Sequence, residues 1–284
     1  MTTLRWRIAK LVAVLLILVW SLAPIALGFS TSVSTQREVN AVPTRWIPHH
    51  PTLKAYRDLL EGNSGRAGGT VTEAGTFETA MKNSAEIAGI ATALVLVVAT
   101  MSAYAFGRLR FRFGRLVMSL LIGTMIVPIF VVVIALFRLM ANAHLIDTKR
   151  GLVLVFLATL TPLATWLLYT QVREMPVEPE EAALIDGCRR WQAFIRIVVP
   201  QMSSGIAAVA AILALSVWGE FLIPLLLTST MNSTPVTVLI TQYVGKYTTN
   251  YPILAAAGVL ALIPPALLAL VLNKRITGML AGSS

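Results

Sequence analysis

The sequence predicts an all-α integral membrane protein with about six membrane-spanning helices, and three observations support this fold class. First, 56% of the 284 residues are hydrophobic and only 13% are charged, about half the charged fraction of a typical soluble domain. Second, nearly uncharged apolar runs of about 18 or more residues recur along the chain. Third, the basic residues cluster at the ends of these runs, so the net charge of +10 does not form the basic stripe that indicates nucleic-acid binding.

Six apolar runs define the predicted spans. They lie near residues 11–29, 86–107, 116–138, 151–171, 205–228 and 252–272. Each is long enough to cross about 30 Å of hydrocarbon as an α-helix, and their continuous rather than alternating hydrophobicity excludes a membrane β-barrel. We therefore expect one transmembrane domain over residues 1–284, with an external loop at 30–85 and a charged loop at 172–204.

Positive charge sets the expected orientation, because cytoplasmic loops of membrane proteins carry an excess of lysine and arginine. If the N-terminus is inside, thirteen basic residues lie on the cytoplasmic side and nine outside. Six of those nine lie in the long loop 30–85, where charge has less influence. The first run begins like a secretory signal, but further spans follow it, so we expect it to remain uncleaved. Both termini and the loop 172–204 are therefore predicted to be cytoplasmic.

The charged loop contains a helix-forming segment, EEAALIDGCRRWQAFIRIVVPQ, at residues 180–201. Proline suits the first turn of a helix, so Pro179 predicts a helix start. Glu180 and Glu181 then place negative charge at the positive end of that helix. The following alanines, Ala182 and Ala183, favour helix and leave little bulk, which allows another surface to approach closely.

Beyond this first helix, Gly187 permits the left-handed conformation that commonly ends a helix. A second short helix is predicted, because apolar residues then recur at helical spacing until Pro200 closes it. Its stripe consists of Trp191, Phe194, Ile195 and Val198. Helices this short are marginal in water, so the hairpin needs support. Two interpretations remain open from the residues alone: docking into a groove of another protein, or lying on lipid as an amphipathic linker.

The hairpin resembles a known family. EAALIDG, followed by FIRIVVP, is similar to the signature E-A-A-x-x-x-G…I-x-L-P of inner-membrane permeases of ABC importers. In that family the first short helix is the coupling helix, which docks into a cleft of the cytoplasmic ATPase, so the resemblance favours the docking interpretation. Carried over by position, the resemblance assigns the coupling motif to Glu181, Ala182, Ala183, Asp186, Gly187 and Pro200.

Other stretches resemble the carbohydrate branch of the family, the maltose-permease-G type. They are NSAEIAG, AYAFGRLRF, LIDTKRGLVL, VWGEFLIPLLLT and KRITGMLAG. The resemblance implies a bacterial inner-membrane or plasma-membrane location, a second homologous permease, a dimer of ATP-binding subunits, an extracellular or periplasmic substrate-binding protein and a sugar substrate. The chain departs from the pattern at Cys188, Ser204 and Gly219, where alanine, proline and asparagine are common.

The chain lacks the motif of an ATPase. No G-x-x-x-x-G-K-[ST] phosphate loop occurs, so ATP and Mg are expected in the partner subunits and no cofactor in this chain. No catalytic set and no metal-ligand set can be assembled from its residues, so we do not expect an enzyme.

Few residues stand out as contacts for a transported solute. Glu220 lies inside the fifth predicted span, where a carboxylate must face protein or a water-filled cavity. For Glu220, a pathway-lining role and a structural pairing with a neighbouring helix have equal weight. Trp218 could stack on the face of a sugar, although tryptophan in such spans more often only packs. In the resembling family the outer loops touch the binding protein, which makes Trp46 and Tyr56 candidates for that contact.

Together these features predict a permease subunit of an ATP-driven sugar importer, forming half of the translocation pathway. The rival hypothesis is an ion-coupled secondary transporter that needs no ATPase. Such a transporter would show an internal repeat and several ionisable groups at mid-membrane. The sequence has no evident repeat, and only Glu220 meets the second condition.

Overall fold

The computed structural model describes residues 2–43, 46–62, 76–109, 112–244 and 249–281. Nearly all secondary structure in these residues is helical, which confirms the predicted all-α class. In chain order the helices are α1 Thr2–Ser32, α2 Gln36–Val39, α3 Lys54–Leu60, α4 Thr76–Arg108, α5 Gly114–Thr124, α6 Ile129–Asn142, α7 Lys149–Glu174, α8 Glu178–Ile185, α9 Arg190–Ala193, a π-helical turn Phe194–Val198, α10 Val199–Gln201, α11 Ser203–Gly219, α12 Leu222–Leu227, α13 Val236–Gln242 and α14 Tyr251–Ala281.

Among these residues, four helical stretches are individually long and apolar enough to cross a membrane. They are Trp6–Ser32, Thr76–Arg108, Lys149–Glu174 and Tyr251–Val271. Two more candidates are bent pairs: α5 with α6, which meet at 99°, and Arg190–Gln201 with α11, which meet at 74°. By length and composition, the described residues therefore contain four candidate spans, or up to six if each bent pair is one span.

The third predicted span, 116–138, is not the single continuous helix that the sequence led us to expect. Helix α5 ends at Thr124, and α6 begins at Ile129 after Pro128, whose backbone is extended with φ −62° and ψ 135°. Proline disfavours helical backbone in the residue before it and has no N–H to donate, so the helix breaks here. The predicted fifth span, 205–228, is interrupted too, between Gly219 and Leu222.

Packing divides the chain into two compact units, Met1–Met81 with Val238–Ile263 and Lys82–Thr237 with Pro264–Ser284. In the second unit, α7 packs against α5, α11 and α12. Two buried apolar clusters lie along α7, one around Leu152 and Phe156, the other around Leu168, Val172 and Leu213. A single transmembrane domain over 1–284 stays a prediction.

In the first unit, a buried glutamate organises the segment after α1. Thr35 and Glu38 form a reciprocal capping box around α2, and the other Glu38 carboxylate oxygen accepts the backbone N–H groups of His49 and His50. The backbone N–H of Thr35 is the strongest of the donors that hold the pKa of Glu38 below its usual value. Glu38 therefore folds part of the predicted external loop, 30–85, onto α2.

Candidate functional site

The first limb of the predicted hairpin is helix α8, with Pro179 in its first turn as the sequence predicts. The helix ends in a Schellman motif: the N–H of Cys188 donates to the Ala183 carbonyl at 3.0 Å, and the N–H of Gly187 donates to that of Leu184 at 3.2 Å. Gly187 has φ +88°, in the left-handed region. This confirms the sequence interpretation of Gly187 as the helix-ending residue.

The second limb differs from the single short helix that the sequence predicts. Helix α9 is followed by a π-helical turn in which the Val199 N–H donates to the Phe194 carbonyl, five residues back. Pro200 follows at once and has no N–H to continue a regular helix. The extra residue in this turn disrupts the predicted stripe: Val198 is buried, whereas Trp191 is 58% exposed.

A buried ion pair fixes α8 to the end of α4. The Tyr104 hydroxyl donates to one Glu180 carboxylate oxygen at 2.5 Å, and Arg108 Nε lies 3.3 Å from the other. The Arg108 guanidinium also donates to the Met175 carbonyl at 2.9 Å and to that of Pro176 at 3.3 Å. Only 10% of the Arg108 side chain and 9% of the Glu180 side chain are exposed. We call Tyr104, Arg108 and Glu180 the anchor.

Two neighbouring contacts hold the anchor in place. The Tyr104 ring lies 4.8 Å from that of Phe194, centroid to centroid, so the second limb packs against it. Gly107 lets α4 come close to α7, because a β-carbon there would lie 2.6 Å from Val172 Cγ1. The anchor thus joins both limbs of the hairpin to the packed helices of the same unit.

The opposite side of α8 is exposed. Glu181, Ala182 and Asp186 are exposed, and Ala183 is partly so. Ile185, which the sequence interpretation did not single out, is 86% exposed and protrudes one turn beyond Ala182. The predicted coupling residues 181–187 therefore form one short surface of small, acidic and apolar side chains, while Pro200 lies apart in the second limb.

A separate cavity of about 550 Å³ lies where two helix breaks meet, that between α5 and α6 and that between α11 and α12. Its walls are mainly apolar and carry a few polar side chains. Non-helical backbone at membrane depth is tolerated where it is buried in protein or lines a cavity, which accounts for both breaks at this place. The polar lining residues are Thr124, Thr159, Ser216 and Glu220.

Glu220 lies at the break in the fifth predicted span and forms hydrogen bonds with the backbone there. Its carboxylate accepts the backbone N–H groups of Leu222 at 3.1 Å and Ile223 at 3.4 Å, and so caps α12. The Glu220 carbonyl accepts the Thr237 hydroxyl at 3.0 Å. Glu220 therefore has a structural role and also lines the cavity, whereas Trp218 packs against the apolar cluster around Leu152.

Asp147, just before the start of α7, forms hydrogen bonds that hold the loop 228–236. Its carboxylate accepts the hydroxyls of Thr230 and Ser233, each at 2.6 Å, and the backbone N–H groups of Ser229 and Thr230. Burial favours a higher pKa for Asp147, but these donors outweigh it and lower the pKa to about 2. The backbone of Asp147 is left-handed, with φ 55°.

The same loop is also held from α4. The Asn83 side chain donates to the carbonyls of Met231 and Thr234, and the Ser84 hydroxyl accepts the Val236 N–H at 2.8 Å. Asn83 and Ser84 are both buried. Two short motifs noted in the sequence, NSAEIAG and LIDTKRGLVL, therefore act together on one loop.

The two candidate contacts for a binding protein lie in the first unit. The Trp46 side chain is 67% exposed, and the Trp46 carbonyl accepts the Ser30 hydroxyl. Tyr56 is partly buried, and its hydroxyl pairs with that of Ser32 at 2.7 Å. Trp46 is thus available for contact, while the polar end of Tyr56 is engaged within the unit.

Comparison with curated relatives places these features in a family. Residues 95–278 match the model of the "Binding-protein-dependent transport system inner membrane component" family. The chain is 28% identical over 274 residues to the sulfoquinovosyl glycerol transport system permease protein SmoH of Agrobacterium fabrum, an alignment that covers 96% of this chain and 92% of that protein. It is 29% identical over 271 residues to the trehalose transport system permease protein SugB of Mycobacterium tuberculosis, with 94% of each chain covered.

A solved structure shares the fold. One chain in the crystal structure of a bacterial ABC transporter involved in the import of the acidic polysaccharide alginate matches with a TM-score of 0.80 at 20% identity, over 95% of each chain. This match confirms the predicted permease fold of an ABC importer. Because the family model covers more than half of the sequence, the chain belongs to the inner membrane component family of binding-protein-dependent transport systems, and it is a permease subunit.

Proposed function

We propose that this chain is one of two homologous permease subunits of an ATP-driven importer and forms half of the pathway for a sugar or sugar-like solute. The observation that carries the proposal is the geometry of the hairpin. An exposed short helix is joined through a buried ion pair to a long helix of the membrane domain. Such a helix can receive force at its exposed face and transmit it to α4 without bending.

The exposed face of α8 supports docking into a protein groove. Ala182 leaves room for close approach, and Ile185 beside it offers an exposed apolar side chain. Burying an isoleucine side chain stabilises a contact by about 1.5–3 kcal/mol. Glu181 and Asp186 place negative charge on either side of Ile185, so the groove is expected to carry basic or hydrogen-bond-donor groups.

The partner that supplies this groove is proposed to be an ATP-binding subunit, present in two copies. ATP and Mg would bind there, because this chain carries no phosphate-binding loop. ATP binding would close the ATPase dimer and move the docked hairpin as a rigid body, which switches the access of the pathway. The hairpin and both termini would then lie in the cytoplasm, as the distribution of positive charge indicates.

The cavity chemistry supports a polyhydroxylated solute. The hydroxyls of Thr124, Thr159 and Ser216 all donate to carbonyls of their own helices. Their free lone pairs, and the carboxylate of Glu220, therefore present hydrogen-bond acceptors to the cavity. Sugar hydroxyls are donors that match such a surface. The relatives SmoH and SugB, permeases of a sulfoquinovosyl glycerol and a trehalose transport system, support the same substrate class.

An external substrate-binding protein is the third proposed partner. The family description names binding-protein dependence, and Trp46 is an exposed aromatic side chain suited to such a contact. The stacking of Trp218 on a sugar stays a prediction, since Trp218 packs against the apolar cluster around Leu152. The alternative of an ion-coupled transporter gains no support, because the relatives and the solved structure belong to transport systems of the first type.

The direct test is to purify the chain with its neighbours and measure both activities. Co-purification with an ATP-binding subunit is expected, together with ATP hydrolysis that rises when the loaded binding protein is added. A panel of neutral and acidic oligosaccharides offered to the binding protein would identify the substrate. Solute uptake by this chain alone, driven by an ion gradient, would contradict the proposal.

A substitution at Gly187 tests the hairpin geometry. Gly187→Val is expected to lower uptake about 5–30-fold, because a β-branched residue in left-handed backbone costs about 1–2 kcal/mol. Gly187→Asn adds similar bulk but tolerates this backbone, so uptake should remain near wild type. No atom lies within 4 Å of the β-carbon position in this chain. Equal uptake by the two variants would contradict a requirement for the left-handed turn.

A further inference from the structure

A second cavity lies beside the anchor, at the end of the helix bundle where the hairpin lies. Its volume is about 520 Å³, and it is formed by the end of α4, the start of α5 and the end of α7. Polar and charged groups reach it from α5 and α7, while Phe106, Leu109 and Met118 supply apolar wall. The polar and charged lining residues are Arg115, Ser119, Tyr169 and Arg173.

The charge of this cavity is positive and lacks compensation within the described part of the chain. Its lining there contains two arginines and no acid. None of the ion pairs among the described residues involves Arg115 or Arg173. The Arg173 guanidinium lies 5.8 Å from the ring centroid of Tyr169, a contact that orients it and leaves its charge unneutralised.

Helix α5, which supplies Arg115 and Ser119 to the cavity, also carries exposed apolar side chains outside the cavity lining. Met118 is the only residue of α5 that is buried, and Leu116 and Leu120, one turn apart, are 57% and 62% exposed. One helix therefore contributes both to a positively charged pocket and to an exposed apolar surface. This combination matches a molecule with an anionic head and hydrocarbon chains. A free anion would match the charged pocket but not the apolar surface.

We propose that this cavity binds the phosphate headgroup of an anionic phospholipid from the leaflet on the hairpin side, with the acyl chains along Leu116 and Leu120. The two arginines neutralise the phosphate, and the Ser119 hydroxyl is a further donor for its oxygens. The proposal concerns lipid binding by the permease itself and is independent of ATP coupling and of the transported solute. Its position next to the anchor places a bound lipid beside the end of α4.

The test compares lipid binding by matched variants of the full chain in detergent. The probe is phosphatidylglycerol, with phosphatidylcholine and inorganic phosphate as reference ligands, and native mass spectrometry reports the bound lipid. Arg115→Gln and Arg173→Gln are each expected to weaken phosphatidylglycerol binding about fivefold, and the double variant about 30-fold. Arg112→Gln is the control, because Arg112 is exposed near the cavity but does not line it, and its effect should stay below about twofold.

Conservative variants separate charge from folding. Arg115→Lys with Arg173→Lys retains both charges, so most of the phosphatidylglycerol binding should return. Three results would overturn the proposal. An equal loss of lipid binding from Arg112→Gln would indicate general attraction to positive charge, and equal stabilisation of the chain by inorganic phosphate and by the lipid would indicate a free-anion site. Loss of the lipid on assembly with the ATP-binding subunits would show that a protein partner occupies the cavity.

Discussion

Replacing Glu180 with alanine is expected to reduce solute uptake about 100-fold while the chain still inserts in the membrane. The change leaves the Arg108 guanidinium buried without its carboxylate, and breaking a buried pair in this way costs about 3–5 kcal/mol. The exposed face of α8 is untouched, so docking and ATP hydrolysis should persist without transport. The measurement is uptake and ATP hydrolysis by the same reconstituted complex.

The matched control for this prediction is Glu174→Ala, which removes an exposed acid at the end of α7 and should preserve uptake. Tyr104→Phe provides a milder test, because it deletes the 2.5 Å hydrogen bond to Glu180 and keeps the ring that contacts Phe194. A loss of about tenfold is expected, with little further loss when it is combined with Glu180→Ala, since both changes act on one interaction. Additive losses, or full uptake by Glu180→Ala, would show that the anchor does not transmit force.

Replacing Asp147 with alanine is expected to lower the stability of the chain markedly. Asp147 lies just before α7, and the hairpin follows the other end of that helix. The variant loses four hydrogen bonds to the loop 228–236 and puts alanine in left-handed backbone. After allowance for partial exposure, we expect a cost of about 2–3 kcal/mol. The midpoint of thermal unfolding in detergent should fall by about 5–10 °C.

Asp147→Asn separates the charge from the backbone effect, because asparagine tolerates left-handed backbone and keeps one acceptor oxygen. An intermediate loss of stability is expected. The folded pKa of about 2 lies below the ordinary value of 3.8, so the stabilisation by Asp147 is complete above about pH 4 and is lost as the pH falls through 2. Identical unfolding midpoints for Asp147→Ala and wild type would contradict this role for Asp147.

The hairpin could be predicted from the sequence because its signals are local. Pro179 marks the start of α8 and Gly187 its end, and each acts through backbone groups within a few residues. The anchor could not be predicted, since Tyr104 and Glu180 lie 76 positions apart and only the packing of α4 brings them together. The sequence signal was present, however, as a tyrosine and an arginine one turn apart at the end of an apolar run.

The positions of the two helix breaks, between α5 and α6 and between α11 and α12, could not be predicted from the sequence either. Prolines inside an apolar run predict an irregularity, but Pro162 lies within a continuous α7 while Pro128 accompanies a 99° bend. The difference depends on the neighbouring helices and on the cavity that the break lines, which no short segment encodes. The π-helical turn at Phe194–Val198 likewise altered a stripe that helical spacing alone predicted.

Cross-linking from α8 in the assembled transporter tests most directly whether this helix docks on an ATP-binding subunit. Cys188 is the only cysteine in the sequence, so Cys188→Ser gives a background in which Ala182→Cys carries a photoreactive probe, with Ala143→Cys, exposed at the end of α6, as control. An adduct between this chain and an ATP-binding subunit is expected from position 182 and none from position 143. Adducts with lipid alone from position 182 would contradict docking on an ATP-binding subunit.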